Sequence, residues 1–409
     1  MIRWIVWIVL SCILCGSTVV IIAAVSVIVK KPSLLPAADS PPPALENVGP
    51  PVDEQEAMQF GLQLEAAAAG RDKAALDRLA PMEALYNRAV SDMDTSRLSP
   101  DLRTAFVRRF TNEIGGLIAG DGSYKLVRVH TVDGRPRVFF RILNGKGGLN
   151  YHDILLARTA TGQVVLEDVG VMTMGETLGK TMRRLTIDSL TAGQRGTRSE
   201  RIQLMEKHAK ELVDFHAKVR EGKAGEAMVV YRRLPDVLRK DKDTQLIALG
   251  AALAISDEAH VREIEAYQQA HPDDPNLDLI SLDLYLLTRQ HKQSLKALAA
   301  IEKTVGGDPC VDAIRATVLA ETGRFAEART AAERAIREEP TLTEAYWARI
   351  AVAIGERDHP AALKWFKAIA EKRQVTLNFP AIVQSPESKP FARSPEFQEL
   401  KAWYANRGR

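Results

Sequence analysis

The chain has 409 residues, of which 46% are hydrophobic and 26% are charged, and its formal net charge is +3 at pH 7. This composition is typical of a globular protein with two or three domains and excludes a chain that is disordered throughout. The near balance of charge gives no reason to expect a nucleic acid partner, and the single cysteine beyond the N-terminal run, Cys310, leaves no pair for a disulfide or a zinc site.

The first predicted element is a membrane anchor. Residues 4–29, WIVWIVLSCILCGSTVVIIAAVSVIV, carry no charge, and a helix needs about 20 apolar residues to cross the hydrocarbon core. Two tryptophans near one end and Lys30 and Lys31 at the other are typical interface anchors. We therefore expect an uncleaved transmembrane helix in residues 1–31. The alternative is a cleaved signal peptide, although its apolar part normally has only about 7–15 residues.

The positive charges on the two sides of this anchor are nearly equal and do not decide its orientation. Arg3 and the terminal amine on one side face Lys30 and Lys31 on the other, and positive charge favours the cytoplasmic side. Because a short tail before a long body favours a cytoplasmic tail, we expect a single-pass protein of the bacterial inner membrane with an extracytoplasmic body. The opposite orientation remains the alternative.

Residues 32–52 form a proline-rich spacer. The stretch PSLLPAADSPPPALENVGPPV contains seven prolines, which favour extended polyproline II structure. Such a segment is a semi-rigid connection between the anchor and the body. A ligand for a proline-binding module is the alternative.

An α+β domain is predicted over residues 53–192. Helical patterns occupy 53–70, 72–90 and 99–120, and strand patterns occupy 124–132, 137–143, 150–159 and 163–173. A DGRP turn and a glycine-rich NGKGG turn separate the first three strands, which indicates an antiparallel meander. This order of elements resembles the nuclear transport factor 2-like superfamily, in which a curved sheet wraps a long helix. That superfamily includes both enzymes and binding modules.

No catalytic site is expected in this domain. His152 and Asp153 are adjacent on a predicted strand, so their side chains point to opposite faces and do not form a general-base pair with each other. His130, Glu167 and Asp168 lie on strands without a fixed partner, and a structural or surface role is favoured for each. The chain has no GKS/T, HExxH or GxSxG motif, and we expect neither a metal nor a cofactor.

A basic, glycine-containing run at 183–201 is typical of an interdomain linker, and periodic helices follow over residues 198–375. Ser294, Ala328 and Ala362 are evenly spaced in similar surroundings, and the pattern extends back to His260 and Ala227 at nearly the same interval. The interval is about 34 residues, and a fixed period of this length is typical of a solenoid of helix pairs. An irregular helical bundle with accidental periodicity is the alternative.

The unit at 309–342 resembles the tetratricopeptide repeat (TPR) most closely. Gly323 suits the turn between two helices, Phe325 fills the gap beside that turn, and Pro340 ends the second helix. The C-terminal residues 376–409 leave the period, and Ser394 followed by proline predicts a helix that caps the array. The predicted fold is thus multidomain: a transmembrane helix, an α+β domain with an antiparallel sheet, and an all-α TPR-type solenoid.

The resemblance to TPR proteins implies a concave groove, lined by the first helix of each pair, that binds a protein or peptide segment. The positions that it implies for groove-facing side chains are Asn276, Asp283, Thr317, Glu321, Glu344 and Trp347. Trp347 would be an aromatic anchor for the partner, with ordinary packing as the alternative. Basic clamps for a terminal carboxylate are not evident at these positions, which argues against recognition of chaperone tails.

These observations predict a membrane-anchored interaction scaffold rather than an enzyme. The alternative is a small-ligand-binding protein or an enzyme that acts through a pocket in residues 53–192. Self-assembly into a homo-oligomer is a third hypothesis.

Overall fold

A computed structural model describes residues 50–96, 98, 103–104, 106–107, 122–143, 148–191 and 200–407. The predicted anchor and nearly all of the proline-rich spacer lie outside these residues. So do most of the predicted helix at 99–120 and most of the NGKGG turn. Among the described residues, no helix is long and apolar enough to span a membrane.

The body begins with three helices: α1 (Glu54–Ala69), α2 (Lys73–Leu79) and α3 (Met82–Ala89). Asp53 caps α1, because its carboxylate accepts a hydrogen bond from the Glu56 backbone N–H at 2.8 Å and the Glu56 carboxylate accepts one from the Asp53 N–H at 3.1 Å. The sequence predicts one helical stretch over 72–90, and the structure corrects this to two helices. Pro81 stands between them, since proline is disfavoured in a helix interior.

A five-stranded antiparallel sheet follows, in the order β1 (Ser123–Val132), β2 (Arg135–Leu143), β3 (Leu149–Arg158), β4 (Val164–Val171) and β5 (Glu176–Thr177). The four predicted strands are confirmed, and β5 is a short additional strand paired with β4. Between β1 and β2, Asp133 and Gly134 have φ of 52° and 72°. Both residues have the positive φ that a two-residue hairpin turn requires.

One face of the sheet, the inner face, packs against α1. It carries Tyr124, Val138, Phe140, Ile142, Ile154, Leu156, Leu166 and Val169. Phe140 and Leu64 of α1 are completely buried in the same cluster. Gly61 permits the close approach of α1, because a Cβ there would lie 2.9 Å from the Leu126 side chain. The Glu65 carboxylate accepts a hydrogen bond from the Leu126 N–H at 2.9 Å, so α1 also satisfies part of the β1 edge.

Helix α4 (Leu178–Thr191) follows the sheet. The sequence predicts a linker over 183–201, and the structure corrects its first half, which is helical. Met182 and Leu185 lie three residues apart and are buried in the core cluster, as one face of a helix allows. Arg183 is only 2% exposed, and its guanidinium donates hydrogen bonds to the Asp92 carboxylate at 2.6 Å.

The remaining chain is helical. Its first helices are α5 (Glu200–Lys207), α6 (Ala209–Arg220), α7 (Ala224–Tyr231), α8 (Asp236–Arg239), α9 (Lys242–Leu253) and α10 (Asp257–Ala270). The next are α11 (Leu277–Leu287), α12 (His291–Val305), α13 (Pro309–Glu321), α14 (Phe325–Glu338), α15 (Thr343–Gly355) and α16 (His359–Arg373). Successive pairs are α6–α7, α9–α10, α11–α12, α13–α14 and α15–α16.

The second helices of these five pairs begin at regular intervals. Helices α7, α10, α12, α14 and α16 start at Ala224, Asp257, His291, Phe325 and His359. The interval is nearly constant at about 34 residues, the period that the sequence predicts. The side chains three positions into each helix are Ala227, His260, Ser294, Ala328 and Ala362, and all are 0% exposed. The positions that define the sequence period therefore share the same buried place in each pair.

The turn inside four of these pairs has the same backbone conformation. Two residues before the second helix, Gly222, Arg289, Gly323 and Arg357 have φ of 73°, 54°, 76° and 59°. Glycine adopts this conformation freely, whereas an L side chain strains it. The two arginines therefore occupy positions that the fold suits to glycine.

Three last helices follow the pairs: α17 (Phe379–Gln384), α18 (Lys389–Ala392) and α19 (Pro395–Arg407). The Ser394 hydroxyl accepts a hydrogen bond from the Phe397 N–H at 3.3 Å, which confirms the predicted helix start. Phe391, Phe397 and Leu400 are buried in one cluster with side chains of α15 and α16. The C-terminal segment thus covers the apolar face of the last pair.

The chain divides into two compact units. The C-terminal unit contains Ser281–Arg409, and the other contains the described residues up to Ile280. The sequence instead places a boundary between 192 and 198. A reason for the difference is Arg184 of α4, whose guanidinium bonds to the Asp243 carboxylate of α9 at 3.1 Å and so ties the first helix pairs to the sheet region.

Candidate functional site

The C-terminal unit contains a cavity of about 280 Å³. Its lining residues are Thr317, Ala320, Glu321, Trp347, Ala351, Ile354, Gly355, Arg357, Glu387 and Pro390. Most of them belong to α13 and α15, the first helices of two successive pairs. The remainder come from the turn after α15 and from the C-terminal segment. We call this cavity the groove cavity.

Helix periodicity explains which side chains line it. Trp347, Ala351 and Ile354 lie four and three residues apart on α15, so they share one face of that helix. Thr317 and Glu321 are four apart on α13 and share a face in the same way. Because α13 packs directly against α15, these two faces form one continuous wall.

Trp347 has two roles in this wall. Its ring is half-buried and contacts the ring of Phe366 edge-on, with centroids 6.1 Å apart. It also lines a second, smaller cavity of about 50 Å³ together with Asn378 and Ile382. Trp347 therefore both packs against α16 of its own pair and lines the groove cavity.

Charged groups stand at the mouth of the groove cavity. The Glu321 carboxylate lies 3.5 Å from His291 Nδ1, and the Glu387 carboxylate lies 3.8 Å from the Arg289 guanidinium. Burial raises the pKa of Glu321 above its usual value, although the nearby His291 and Arg289 oppose this shift. Arg357 lines the cavity with an exposed side chain. The mouth is thus polar and the interior wall is mainly apolar.

The other three predicted groove residues lie elsewhere. Asp283 of α11 is 0% exposed, so its side chain is part of the interior. Glu344 is half-buried in the first turn of α15 and is not among the residues that line the groove cavity. Asn276 lies just before α11, where its side-chain nitrogen would be 3.1 Å from a Cβ on Gly175. The structure therefore brings together Thr317, Glu321 and Trp347 of the predicted set.

The cavity residues outside the first helices are not predicted from the sequence. Glu387 and Pro390 belong to a segment that leaves the repeat period, so no alignment of repeats could place them. Arg357 did carry a signal, because it stands one repeat period after Gly323 at the same turn position. An arginine where the fold favours glycine marks this turn as unusual, although it does not by itself indicate a cavity.

The α+β region contains a second group of polar side chains. His152 faces the inner side, where its Nδ1 lies 3.1 Å from the Tyr124 hydroxyl in a buried contact. Asp153 faces the other side and contacts His130 Nε2 at 2.8 Å and Arg137 Nη1 at 2.9 Å. The expected separation of His152 from Asp153 is thus observed, and His130 has a partner two strands away that the sequence did not predict.

The carboxylates of this region are held by local partners. Burial raises the pKa of Asp153, but the hydrogen bonds and charges of His130 and Arg137 outweigh it and keep the pKa below its usual value. Burial raises the pKa of Asp168, which accepts hydrogen bonds from the backbone N–H groups of Val169 and Gly179. Glu167 pairs with Arg135. These contacts are sufficient to explain the carboxylates as structural groups.

Among the described residues, no cluster of His, Cys, Asp and Glu side chains is arranged to hold a metal ion. No protein-family model matches the sequence, and no curated protein or solved structure matches it either. The function is therefore inferred from the geometry of the groove cavity and of the sheet.

Proposed function

We propose that the chain is a membrane-anchored interaction scaffold whose TPR-type helix pairs bind a segment of a partner protein in the groove cavity. The observation that carries this proposal is the lining of that cavity. The first helices of two successive pairs supply its wall, and Thr317, Glu321 and Trp347 meet there. A groove with an aromatic residue in an apolar wall and polar groups at the mouth suits an extended or helical peptide.

The regular spacing of the helices supports the repeat-type assignment. Five second helices start at a nearly constant interval, and the residue three positions into each is fully buried. Helix pairs that repeat in this way need no catalytic pocket, and they expose a binding surface on their first helices. The apolar run at 4–29 and the prolines at 32–52 support an anchor and a spacer that hold this surface near the bilayer.

The sheet region supplies less support for the alternative, a ligand pocket in residues 53–192. Its inner face, where a nuclear transport factor 2-like domain would hold a ligand, is filled by an apolar cluster that includes Phe60, Phe140 and Ile142. The polar group around His130 and Asp153 lies on the opposite face of the sheet, and its members are paired with one another.

Affinity capture with the full chain, solubilised from native membranes in detergent, tests the proposal. Trp347→Ala removes the aromatic wall, and Ala351→Leu narrows the groove cavity without removing a contact. We expect each variant to lose the captured partner, with Trp347→Ala weakening the binding free energy by about 2 kcal/mol or more if Trp347 is a hot spot.

Glu338→Gln, on the exposed face of α14, is the matched control and should capture the partner as the unmodified chain does. Point variants are preferable to removing residues 198–409, since that deletion would cut through the unit that extends to Ile280. Partners that bind Ala351→Leu and the unmodified chain equally would place recognition outside the groove cavity.

A further inference from the structure

We infer that the partner segment inserts a lysine or arginine side chain, flanked by apolar residues, into the groove cavity. This inference rests on the proposed function and adds the chemistry of the occupant. Two carboxylates, Glu321 and Glu387, and one exposed cation, Arg357, line a cavity whose wall is otherwise mainly apolar. A long side chain with an aliphatic stem and a cationic end matches this combination.

The volume of the cavity is sufficient for such a side chain. A cavity of about 150 Å³ in a protein core accepts a benzene molecule, and the groove cavity has about 280 Å³. Ala351, Ile354 and the Trp347 ring supply an apolar wall for the aliphatic stem and for one neighbouring residue. An aromatic face also attracts a cation that passes over it.

The charges at the mouth favour a cationic end group. Glu321 is the last residue of α13 and Gly355 is the last residue of α15, so the negative ends of two helix dipoles lie at the cavity. The Glu321 side chain is only 24% exposed, so water compensates its charge in part, and burial raises its pKa. A cation from the partner would add to the compensation that His291 and Arg289 supply.

Three cationic or titratable groups already face this mouth: His291, Arg289 and Arg357. The Arg289 guanidinium is 64% exposed and 3.8 Å from Glu387, which is the geometry of a weak surface pair that a partner can displace. His291 lies 3.5 Å from Glu321. Arg357 is exposed at the turn after α15. An anionic side chain in the cavity would be attracted by these groups but repelled by both carboxylates.

The test uses a phage-displayed library of random peptides, selected on the full chain in detergent and counter-selected on Ala351→Leu. The expected result is a set of peptides that bind only the unmodified chain and share a lysine or arginine next to apolar residues. Peptides that depend on Ala351 but lack a cation, or carry Asp or Glu instead, would overturn the inference and leave the proposed function standing. No peptide that distinguishes the two forms would count against both.

A second measurement isolates the contribution of the peptide's positive charge to the binding affinity. The best peptide is resynthesised with its cationic residue replaced by citrulline or norleucine, and both forms are titrated against the full chain, Glu321→Gln, Glu387→Gln and the control Glu338→Gln. For the cationic peptide we expect about a tenfold loss of affinity with Glu321→Gln or Glu387→Gln and no loss with Glu338→Gln. For the neutral peptide, Glu321→Gln should cause no further loss of affinity. Equal affinities of the two peptides for the unmodified chain would overturn the inference.

Discussion

The two regions of this molecule are packed in different ways. The sheet region fills its inner face with large side chains such as Phe60, Phe140 and Ile142. The C-terminal unit instead places small residues where its helices meet, with Ala328, Ala332 and others fully buried. Large side chains fill the space over the sheet, whereas small side chains let the helices of the C-terminal unit pack closely. The groove cavity, the proposed binding site, lies in the C-terminal unit.

The largest effect is expected from a large-to-small change on the inner face of the sheet. Phe140→Ala removes a completely buried ring and should lower the free energy of unfolding of that region by about 3–5 kcal/mol. Hydrogen exchange of β2 and β3 amides measures this loss. The tryptophans in the described residues all lie in the C-terminal unit, so in a chain that also carries Trp4→Phe and Trp7→Phe the tryptophan fluorescence reports that unit. An equal shift of its unfolding transition would contradict separate packing of the two units.

The next largest effect is expected from His216, a buried histidine in the first helix pair, on the pH dependence of stability. Burial lowers the pKa of His216 to about 4, with a smaller contribution from the charge of Arg220. Between the ordinary pKa of 6.5 and about 4, the unfolded chain binds a proton that the folded chain does not, so stability falls as the pH falls through this range. The loss should approach about 3 kcal/mol at pH 4.

His216→Leu should remove this part of the pH dependence, because leucine has no proton to bind. Urea unfolding of the two chains at pH 7, 5.5 and 4 makes the comparison. The same loss of stability in both chains would show that His216 does not cause it.

A small-to-large change at Gly355 should destabilise the protein by a smaller amount. A Cβ on Gly355 would lie 2.5 Å from Phe325 Cε1, so Gly355→Ala forces the ring to move and should destabilise the C-terminal unit by about 1–3 kcal/mol. This loss is expected although alanine is the better helix former. Phe325→Leu in the same chain should recover part of it, as measured by a double-mutant cycle in urea. Additive effects of the two changes would contradict the contact.

The smallest effects are expected at the turns. Gly323→Ala should destabilise the C-terminal unit by about 1 kcal/mol, because the residue has φ of 76°. Arg357→Gly, at the equivalent turn with φ of 59°, should instead stabilise it by up to about 1 kcal/mol. Thermal unfolding followed by tryptophan fluorescence shows whether each change raises or lowers the stability of the C-terminal unit. The same sign for both changes would mean that the backbone conformation is not what decides them.

Much of the fold could be predicted from the sequence because its elements repeat a local rule. Alternating strands with turn residues between them predicted the sheet, and the constant repeat interval predicted the start of the second helices. The helical run at 183–191 is not predicted because its composition is mostly polar, and Leu185 and the preceding Met182 contact the core only once the sheet is formed. Pro81 was a visible signal for a helix break that the continuous pattern outweighed.

Half of the predicted groove residues line the candidate site. Thr317, Glu321 and Trp347 are positions that the resemblance to TPR proteins implies, and all three line the groove cavity. Glu387 and Pro390 lie outside the repeat, and only the folding of the C-terminal segment brings them to the cavity. Likewise, the pair formed by His130 and Asp153 depends on strand register, which spacing along the chain does not fix.

The most direct test of this proposal is photo-crosslinking from the lining of the groove cavity. A benzoylphenylalanine replaces the exposed lining residue Arg357 in the full chain, expressed in its native membrane, and a second chain carries it at Glu338 on the exposed face of α14. We expect a crosslink to a segment of a partner protein from position 357 and none from position 338. No crosslink from position 357, or the same crosslinks from both positions, would contradict the proposal that the groove cavity binds the partner.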